Sequence, residues 1–334
     1  MASFWNALPQ PFFALAPLED VTDAAFRGLI AKYGKPHVMF TEFTSADGLV
    51  LADGAGQEKL RKKLLYSENE RPIVAQLFSS VPEYMEEAAR IVAELGFDGI
   101  DINMGCPDRA VERGGCGAAL MKNPALAREL IRAAKRGFAS VYVRDTTQSI
   151  SGEHTAPVSV KTRIGYNKDE LDAWLPELLA ESPAAVGLHA RTRKEMSDVP
   201  ARWECVKRAV KIRDSLGSKT LIIGNGDVRD ITDAREKAAI SGADGIMLGR
   251  AIYGNPWLFS GRSESPSPNE RIAALTEHLF LFDELLADTT SFAIMKKHFK
   301  VYISEWDGAK KLRAKLMETK TPREAKTLLS NALN

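Results

Sequence analysis

Polar side chains that could bind a ligand or move a proton recur where short apolar runs of the sequence end. An amide, a thiol, an amine, an imidazole and several guanidinium groups can together bind an anion, stabilise negative charge and donate a proton. Any one of them could be a surface charge or a buried, hydrogen-bonded core side chain, but the same placement at six run ends favours one shared site. These residues are Gln76, Asn103, Cys106, Lys161, Arg163, His189, Arg191, Asn225, Asp227 and Arg250.

The thiol of Cys106 is the strongest candidate for proton transfer. It lies within Asn103–Pro107, where a glycine before it and a proline after it bend the chain. A lone cysteine is usually an inert buried side chain, but one at a strand end beside cationic groups can exchange a proton. Cys116, in a glycine-rich loop, and Cys205, in a helical segment, are weaker candidates.

Two glycine-rich segments, which follow the last two predicted strands, predict a phosphate site. They are Gly224–Asp227, after the seventh predicted strand, and Gly249-Arg250, after the eighth. Glycines let backbone N–H groups approach phosphate oxygens, and an arginine adds charge and a planar fork. Lys161 would reach inward from the fifth strand and stabilise negative charge on an electron-rich ring. The alternative is that these glycines only shape turns.

Strands that alternate with helices must position these residues. Amphipathic segments such as 83–95 and 124–136 separate the strands, which implies parallel pairing through right-handed crossovers. Eight such units in about 250 residues favour a closed (β/α)₈ TIM barrel, with its chemistry at the carboxyl ends of the strands. A doubly wound dinucleotide fold would need a G-x-G-x-x-G fingerprint, which neither glycine run provides. The strand candidates begin near Phe12, Val38, Ile73, Gly99, Val158, Ala185, Thr220 and Gly245.

The pattern changes after the eighth strand. We predict an α/β barrel as the catalytic domain over 1–260, a linker rich in Ser and Pro over 261–270, and a small helical domain over 271–334. The segment 138–157 is longer than a usual connection. It enters the fifth strand from the face of the barrel opposite the predicted site, so we assign it no catalytic role.

Composition excludes several classes of protein. The chain has 45% hydrophobic and 27% charged residues, typical of a globular protein. Its three cysteines form no Cys-x-x-Cys pair, so we expect neither a disulfide framework nor a metal site. We found no apolar run of the roughly 18 residues that a membrane span needs and no charged leader. The expected location is the cytoplasm, and a monomer is the default oligomeric state.

Charge is distributed unevenly along the chain. From Thr289 to Asn334, ten Lys or Arg against four Asp or Glu give +6, so the remainder carries −5 of the net +1. A basic tail on an acidic body is typical of a protein with a polyanionic partner. The alternative is an ordinary solvated helical face.

Taken in chain order, these motifs resemble the tRNA-dihydrouridine synthases. The string Asp101–Pro107 is the most specific. Three features depart from the family pattern: Ser79 and Ala190 replace glycines, and the loop 194–199 lacks its usual residues. The other matching pieces are Ala16–Leu18, Thr41–Phe43, Gln76-Leu77, Val111, Gly117–Leu120, Lys161–Arg163, His189–Thr192, Gly224–Asp227, Gly249–Ala251, Tyr302, Lys311 and Arg313.

The resemblance implies an FMN-containing barrel that reduces the C5–C6 bond of a uracil in folded RNA, with NADPH as reductant and tRNA as partner. Cys106 would be the general acid that protonates C5. Asn103 and Arg163 would hold the uracil, and Lys296, Lys297 and Arg313 would contact the RNA. The residues implied to hold FMN are Pro17, Leu18, Glu19, Gln76, Lys161, His189, Asn225, Gly226, Asp227, Gly249 and Arg250.

Three alternatives remain open at this stage. The substrate could be ribosomal RNA, or the barrel could act on a free dihydropyrimidine or a dihydroorotate-type molecule, which leaves the basic tail unexplained. A third alternative is an RNA-binding module with a vestigial barrel. Cys106, Lys161 and His189 argue against this last class, because RNA binding alone does not require them.

Overall fold

The computed structural model of the protein describes residues 3–144 and 156–333. The long connection predicted over 138–157 therefore falls mostly outside the described residues, apart from the end of a helix up to Arg144 and the approach to the next strand. All eight predicted strands are present, and the second is divided into two short pieces. The strands are β1 Phe12–Leu15, β2 Met39–Phe40, β3 Thr44–Ser45, β4 Ile73–Phe78, β5 Gly99–Met104, β6 Val158–Arg163, β7 Ala185–His189, β8 Leu221–Asn225 and β9 Gly245–Leu248.

The strands form one closed parallel barrel, which confirms the predicted TIM fold. Their order is β1-β9-β8-β7-β6-β5-β4-β2, and β3 pairs with β4 further along the same edge. A parallel bridge between Ala14 and Val38 closes the barrel, since the Leu15 N–H donates to the Val38 carbonyl at 3.0 Å. The carboxyl ends of the strands therefore meet in one ring, as the predicted site requires.

Helices surround the barrel and extend beyond it. None of them, within the described part of the chain, is long and apolar enough to cross a membrane. Short 3₁₀ turns occur at Phe4–Ala7, Glu68–Glu70, Gly117–Lys122, Arg250–Ile252 and Phe292–Met295. The α-helices are α1 Ala24–Tyr33, α2 Ala46–Leu51, α3 Gly54–Lys63, α4 Pro82–Glu94, α5 Arg109–Arg113, α6 Pro124–Arg144, α7 Leu171–Leu179, α8 Trp203–Ser215, α9 Ile231–Ser241, α10 Pro268–Leu285, α11 Lys296–Tyr302, α12 Ala309–Glu318 and α13 Pro322–Leu333.

Helix α4 shows how the sequence pattern produces the outer layer. A proline at its first turn suits the start of a helix, where the missing N–H has no intrahelical partner. Its buried side chains recur at helical spacing, at Met85, Ala88, Ala89, Val92 and Ala93. This apolar face packs against α6 and the barrel, and the charged residues between these positions face away from the core.

The C-terminal helices share a core with the barrel. Helix α10 begins at Pro268, inside the segment predicted as a linker, and a capping box of Ser267 and Glu270 starts it. The Phe26 ring of α1 stacks on His278 at 4.9 Å between centroids and meets His298 edge-on at 4.7 Å. Because this interface is buried, deletion of the helical segment would expose apolar side chains of α1, and point variants are the better probe of its role.

The two histidines at this interface predict an acid-sensitive fold. Burial lowers the pKa of His298 to about 3 and that of His278 well below its usual value. None of their ring nitrogens has a hydrogen-bond partner in the described part of the chain. The unfolded chain therefore binds more protons than the folded chain below about pH 6.5. For each such proton, the free energy of unfolding falls by about 1.4 kcal/mol for every unit by which the pH is lowered.

We expect His298→Phe to reduce this acid sensitivity. Chemical denaturation between pH 6.5 and 4 (a range about the ordinary histidine pKa) should give a stability that falls less steeply in the variant, by about one proton. The buried carboxyl groups titrate in both proteins, so their contribution cancels from the difference. Equal slopes for variant and wild type would show that His298 does not carry the effect.

Candidate active site

A cavity of about 370 Å³ opens at the carboxyl ends of the barrel strands. Every residue predicted for catalysis or cofactor binding lines it, together with Asn103 and Arg163. The predicted RNA contacts Lys296, Lys297 and Arg313 do not belong to its lining. The lining residues to which the sequence gave no catalytic or binding role are Ala16, Phe43, Gly105, Pro107, Arg191, Ser197, Val228 and Tyr253.

Asn103 at the end of β5 shapes the loop that carries the thiol. Its side-chain oxygen accepts the backbone N–H groups of Gly105 at 3.1 Å and Cys106 at 2.9 Å. Its amide nitrogen donates to Gln76 Oε1 on β4 at 3.1 Å. Both ends of the Asn103 amide thus have protein partners, so its main structural role is to position Cys106. The predicted contact with a uracil remains a prediction.

A buried carboxyl group continues this network below the cavity. Gln76 Nε2 donates to one oxygen of Asp101 at 2.7 Å, and the Ser159 hydroxyl donates to the other at 2.6 Å. Burial raises the pKa of Asp101 to about 6, although both hydrogen bonds oppose that shift. Side chains of β4, β5 and β6 are therefore linked beneath the Cys106 loop, which gives the thiol a rigid support.

The Cys106 thiol keeps its proton at neutral pH. Burial raises its pKa, while a hydrogen bond from the Asp108 backbone and the charge of Arg163 act in the opposite direction. A protonated thiol is a proton donor and not a thiolate nucleophile. Cys106 therefore presents a protonated thiol to the cavity.

The glycine-rich loop after α5 packs directly on this cysteine. Gly117 has φ +59°, and a Cβ there would lie 2.8 Å from the Cys106 carbonyl oxygen and 3.3 Å from its Cβ. The Ala118 N–H donates to the same carbonyl at 3.0 Å. Only glycine satisfies both the backbone conformation and this close approach, so the loop helps to hold Cys106 at the cavity.

Lys161 reaches the cavity from β6 across a glycine of β7. A Cβ at Gly187 would lie only 2.7 Å from Lys161 Cδ, so the glycine leaves a channel for the lysine stem. Burial and the nearby Arg163 guanidinium lower the pKa of Lys161 to about 7, and Asp101 opposes that shift. An anionic or electron-rich ligand in the cavity would favour the charged ammonium form.

Arg163 joins two loops at the wall of the cavity. Its guanidinium donates to the carbonyls of Gly105 at 2.8 Å, Thr192 at 3.2 Å and Met196 at 2.9 Å, and the residue is 8% exposed. These bonds fix the Cys106 loop to the loop after β7 and leave one amino group without a protein partner among the described residues. A uracil contact through that group remains a prediction.

The ends of β8 and β9 form a cationic corner of the cavity. Asp227 accepts from Arg250 at 2.7 Å and from the buried Arg191, and the Asn225 side chain donates to the Met247 carbonyl at 2.8 Å. A carboxylate cannot donate to a phosphate, so the side chain of Asp227 orients Arg250, and its backbone N–H is left as the group that could touch an anion. Arg250 remains 58% exposed.

Each of the three predicted RNA-contact residues already has a partner within the protein. Lys296 donates to the Met317 carbonyl at 2.8 Å, Lys297 pairs with Asp20 at 3.0 Å, and Arg313 donates to the Ile303 carbonyl at 3.0 Å. Other exposed cations of the tail have no hydrogen-bond or ion-pair partner in the described ranges. Three of them lie on α12, where their spacing could have indicated them in the sequence. The full set is Lys300, Lys310, Lys311, Lys315 and Arg323.

A second group of cations lies on the loops after β5, β6 and β7. Lys122 Nζ lies 3.7 Å from the Tyr166 ring centroid, and Arg193 lies 5.2 Å from it. The Lys194 N–H donates to the Tyr166 carbonyl at 2.9 Å, which joins two of these loops. We call this surface the β5–β7 rim. Its exposed cations are Arg109, Arg113, Lys122, Lys168 and Lys194.

Comparison with known proteins identifies related sequences. A family model described as "Dihydrouridine synthase (Dus)" matches residues 14–334. The "Probable tRNA-dihydrouridine synthase 2" of Bacillus subtilis (strain 168) is 40% identical over 331 residues, which are 98% of this chain and 96% of the relative. The "Probable tRNA-dihydrouridine synthase" of Staphylococcus aureus (strain COL) is 38% identical over 329 residues, 98% of this chain and 94% of the relative.

Solved structures confirm the barrel fold alone. A morphinone reductase variant matches with a TM-score of 0.52 at 13% identity, over 79% of this chain and 91% of that chain. A histamine dehydrogenase from Rhizobium sp. 4-9 matches with a TM-score of 0.51 at 15% identity, over 80% of this chain. The match spans 48% of the histamine dehydrogenase chain, about half its length. At these identities the likeness concerns architecture and not residue roles.

Proposed function

Because the chain belongs to the dihydrouridine synthase family, we propose that it reduces a uridine of tRNA to 5,6-dihydrouridine with FMN as cofactor and NADPH as reductant. The observation that carries the proposal is the protonated Cys106 thiol, which shares one cavity with Lys161 and with the cationic corner at Arg250. The names of the curated relatives support tRNA as the substrate.

The residues of the cavity fit FMN. A Cβ at Gly249 would point toward Ala16 and Leu18, at 3.7 and 3.9 Å, so the glycine leaves space at the corner where Arg250 supplies positive charge. Lys161, which also lines the cavity, would supply a second cation for the electron-rich ring of the flavin. When bound, FMN would supply the hydride that is added to C6 of the uracil.

The chain itself would supply the proton and the positioning. Cys106 holds a proton at the cavity wall and would donate it to C5, because burial keeps the thiol protonated. Asn103 and Gly117 fix the loop that presents the sulfur. A base in stacked RNA cannot reach this depth, so the uridine would have to be extruded, at a cost of a few kcal/mol.

Two basic surfaces flank the mouth and could offset that cost. The β5–β7 rim lies next to the Cys106 loop, and the free cations of α11 and α12 belong to the helical tail, which packs on α1 and reaches the loop after β1 through the Lys297–Asp20 pair. We therefore propose the tail as an RNA-binding domain that acts together with the rim. Contacts from both sides would hold the RNA backbone across the cavity.

Neutralising Lys310, Lys311 and Lys315 together as Gln variants should weaken tRNA binding. Each cation that contacts a phosphate adds about 0.9 to the slope of log affinity against log salt, so the triple variant should lose about 2 to 3 from that slope. Fluorescence anisotropy with labelled tRNA at several salt concentrations measures it. Lys297→Gln should have a smaller effect, because Lys297 already pairs with Asp20.

The matched control neutralises Lys207 and Lys211, which are exposed on α8 away from the mouth. This double variant should keep the salt slope of the wild type. A triple variant that binds like the wild type at every salt concentration would remove α12 from the RNA interface.

Conversion of unmodified tRNA tests the proposed function. Purified protein supplied with FMN and NADPH should add two hydrogen atoms to one uridine of the transcript, as mass spectrometry of the digested RNA would show. Ribosomal RNA, free uridine and dihydroorotate are assayed in parallel. Turnover of ribosomal RNA or of a small molecule, with tRNA unchanged, would replace the proposed substrate, and no uptake of FMN would overturn the proposal.

A further inference from the structure

Arg191 is a buried arginine that joins three parts of the active site. The sequence placed it among the polar residues of the shared site but gave it no specific role. Only 2% of the residue is exposed. Its Nε donates to the Val199 carbonyl of the loop after β7, one amino group lies 3.0 Å from His189 Nε2, and the other pairs with Asp227. One guanidinium thus contacts the loop after β7, a cavity histidine and the carboxylate that holds Arg250.

The contact with Arg191 fixes the position of the proton on His189. A guanidinium only donates hydrogen bonds, so Nε2 of the ring must accept, and a neutral ring then carries its proton on Nδ1. Nδ1 has no hydrogen-bond partner among residues 3–144 and 156–333, and His189 lines the cavity. The ring therefore offers an N–H donor to whatever occupies the cavity.

The charges around His189 hold it in the neutral form. Burial and the cations Lys161, Arg163, Arg191 and Arg250 lower the pKa of this imidazole well below its usual value. Asp227, the anion of this corner, is already paired with both Arg191 and Arg250.

The backbone on the other side of the ring completes the arrangement. Gly226 has φ +129°, and a Cβ there would lie 3.2 Å from His189 Cδ2 and 3.5 Å from Nε2. The glycine therefore leaves room for the ring edge that meets Arg191. A Cβ here would also lie 2.7 Å from the Cβ of Ala201, so a larger residue would crowd both Ala201 and this edge of the ring.

We propose that Arg191 is a positioning residue that locks His189 as a neutral Nδ1–H donor facing the ligand cavity. The same arginine connects the loop after β7 to the Asp227–Arg250 pair. That loop and the cationic corner of the cavity are therefore held in place by one side chain. The proposal rests on the proposed function only for the identity of the ligand, a flavin or uracil oxygen that would accept the bond. The tautomer itself is a property of the protein.

Long-range proton–nitrogen NMR of the FMN-loaded protein reads the tautomer directly. The chain has five histidines, and the spectrum of His189→Gln assigns the resonance of His189. We expect a protonated Nδ1 and an unprotonated Nε2 in the wild type from pH 6 to 8 (about the range in which an ordinary histidine titrates). An Nε2–H tautomer or a charged ring there would overturn the proposal without any substitution at Arg191.

Arg191→Met should remove the hydrogen bond that holds His189 as the Nδ1–H tautomer. We expect a mixture of tautomers, protonation of His189 at a higher pH than in the wild type, and FMN affinity about tenfold weaker through the loss of one oriented hydrogen bond. Arg213→Met is the matched control, since Arg213 is a largely buried arginine that pairs with Asp244 near the start of β9, at the opposite end of the barrel. It should lower stability and leave the His189 resonances unchanged.

Two results would contradict the inference. An Arg191→Met protein that keeps the wild-type tautomer and pH titration of His189 would show that the arginine does not set them. Equal changes in Arg213→Met would assign the effect to general loosening of the fold. Neither measurement of His189 uses RNA or turnover, so a wrong substrate would leave this test intact. If the protein took up no FMN, the tautomer would be read on the ligand-free protein.

Discussion

Replacing Cys106 by alanine should lower the rate of uridine reduction by about 10²- to 10⁴-fold, the usual contribution of a positioned general acid. Flavin reduction by NADPH should continue at the wild-type rate, because that step needs no proton from this thiol. The expectation follows from the geometry: the thiol lines the cavity, burial keeps its proton in place, and Asn103 and Gly117 fix its loop.

Rapid mixing separates the two steps. The variant is first reduced with NADPH without oxygen and then mixed with unmodified tRNA, and dihydrouridine is counted over time. Cys205→Ala is the control, since Cys205 is buried in α8 outside the cavity lining and should leave both steps unchanged. If Cys106→Ala reduced tRNA as fast as the wild type, the proton would have to come from another group, and the role proposed for Cys106 would be wrong.

Replacing Arg250 by methionine should weaken FMN binding by about 10- to 100-fold. A hydrogen bond to a charged group contributes about 1.5 to 3 kcal/mol, and the variant removes both the charge and the planar fork. Riboflavin lacks the phosphate, so its affinity should change little. The comparison of the two ligands therefore isolates the phosphate contact from any change in the cavity wall.

Titration of the apoprotein by flavin fluorescence gives both dissociation constants. Arg229→Met is the matched control, because Arg229 follows the same glycine-rich segment but is 77% exposed and pairs with Asp233, away from the cavity lining. It should bind FMN like the wild type. An Arg250→Met protein that loses FMN and riboflavin affinity equally would place the phosphate elsewhere.

The barrel and most of the cavity could be predicted from the sequence, because both depend on local patterns. Apolar runs that alternate with amphipathic segments gave all eight strands near their predicted starts, from Phe12 to Gly245. Once the strands are parallel and the barrel is closed, topology alone brings their carboxyl ends together. Residues as far apart as Pro17 and Arg250 therefore line one cavity, as predicted.

Side-chain pairing between distant parts of the chain could not be predicted. Lys297, whose predicted contact with RNA remains a prediction, pairs with Asp20, 277 positions earlier in the sequence. The charge pattern of the sequence shows that the tail is basic. It does not show which of its cations are paired with a carboxylate elsewhere in the chain. Arg191 was expected near the site, but its role could not be predicted for the same reason, since that role lies in three simultaneous contacts with the β7 end, the following loop and the end of β8.

The two buried histidines show a further limit of the sequence. In the helical segment, His278 and His298 look like polar positions, yet both pack against Phe26 of α1. Their burial depends on how the tail docks on the barrel, which no local periodicity specifies. The continuous core between tail and barrel followed only from the structure.

One anaerobic single-turnover experiment tests the central claim most directly. The FMN-loaded protein is reduced with NADPH, freed of excess reductant and mixed with unmodified tRNA. The account predicts that the flavin is reoxidised and that one dihydrouridine forms for each flavin. In heavy water, the hydrogen added at C5 should be deuterium, and the hydrogen already present there should remain. A flavin that stays reduced in the presence of tRNA, or is reoxidised without dihydrouridine, would contradict it.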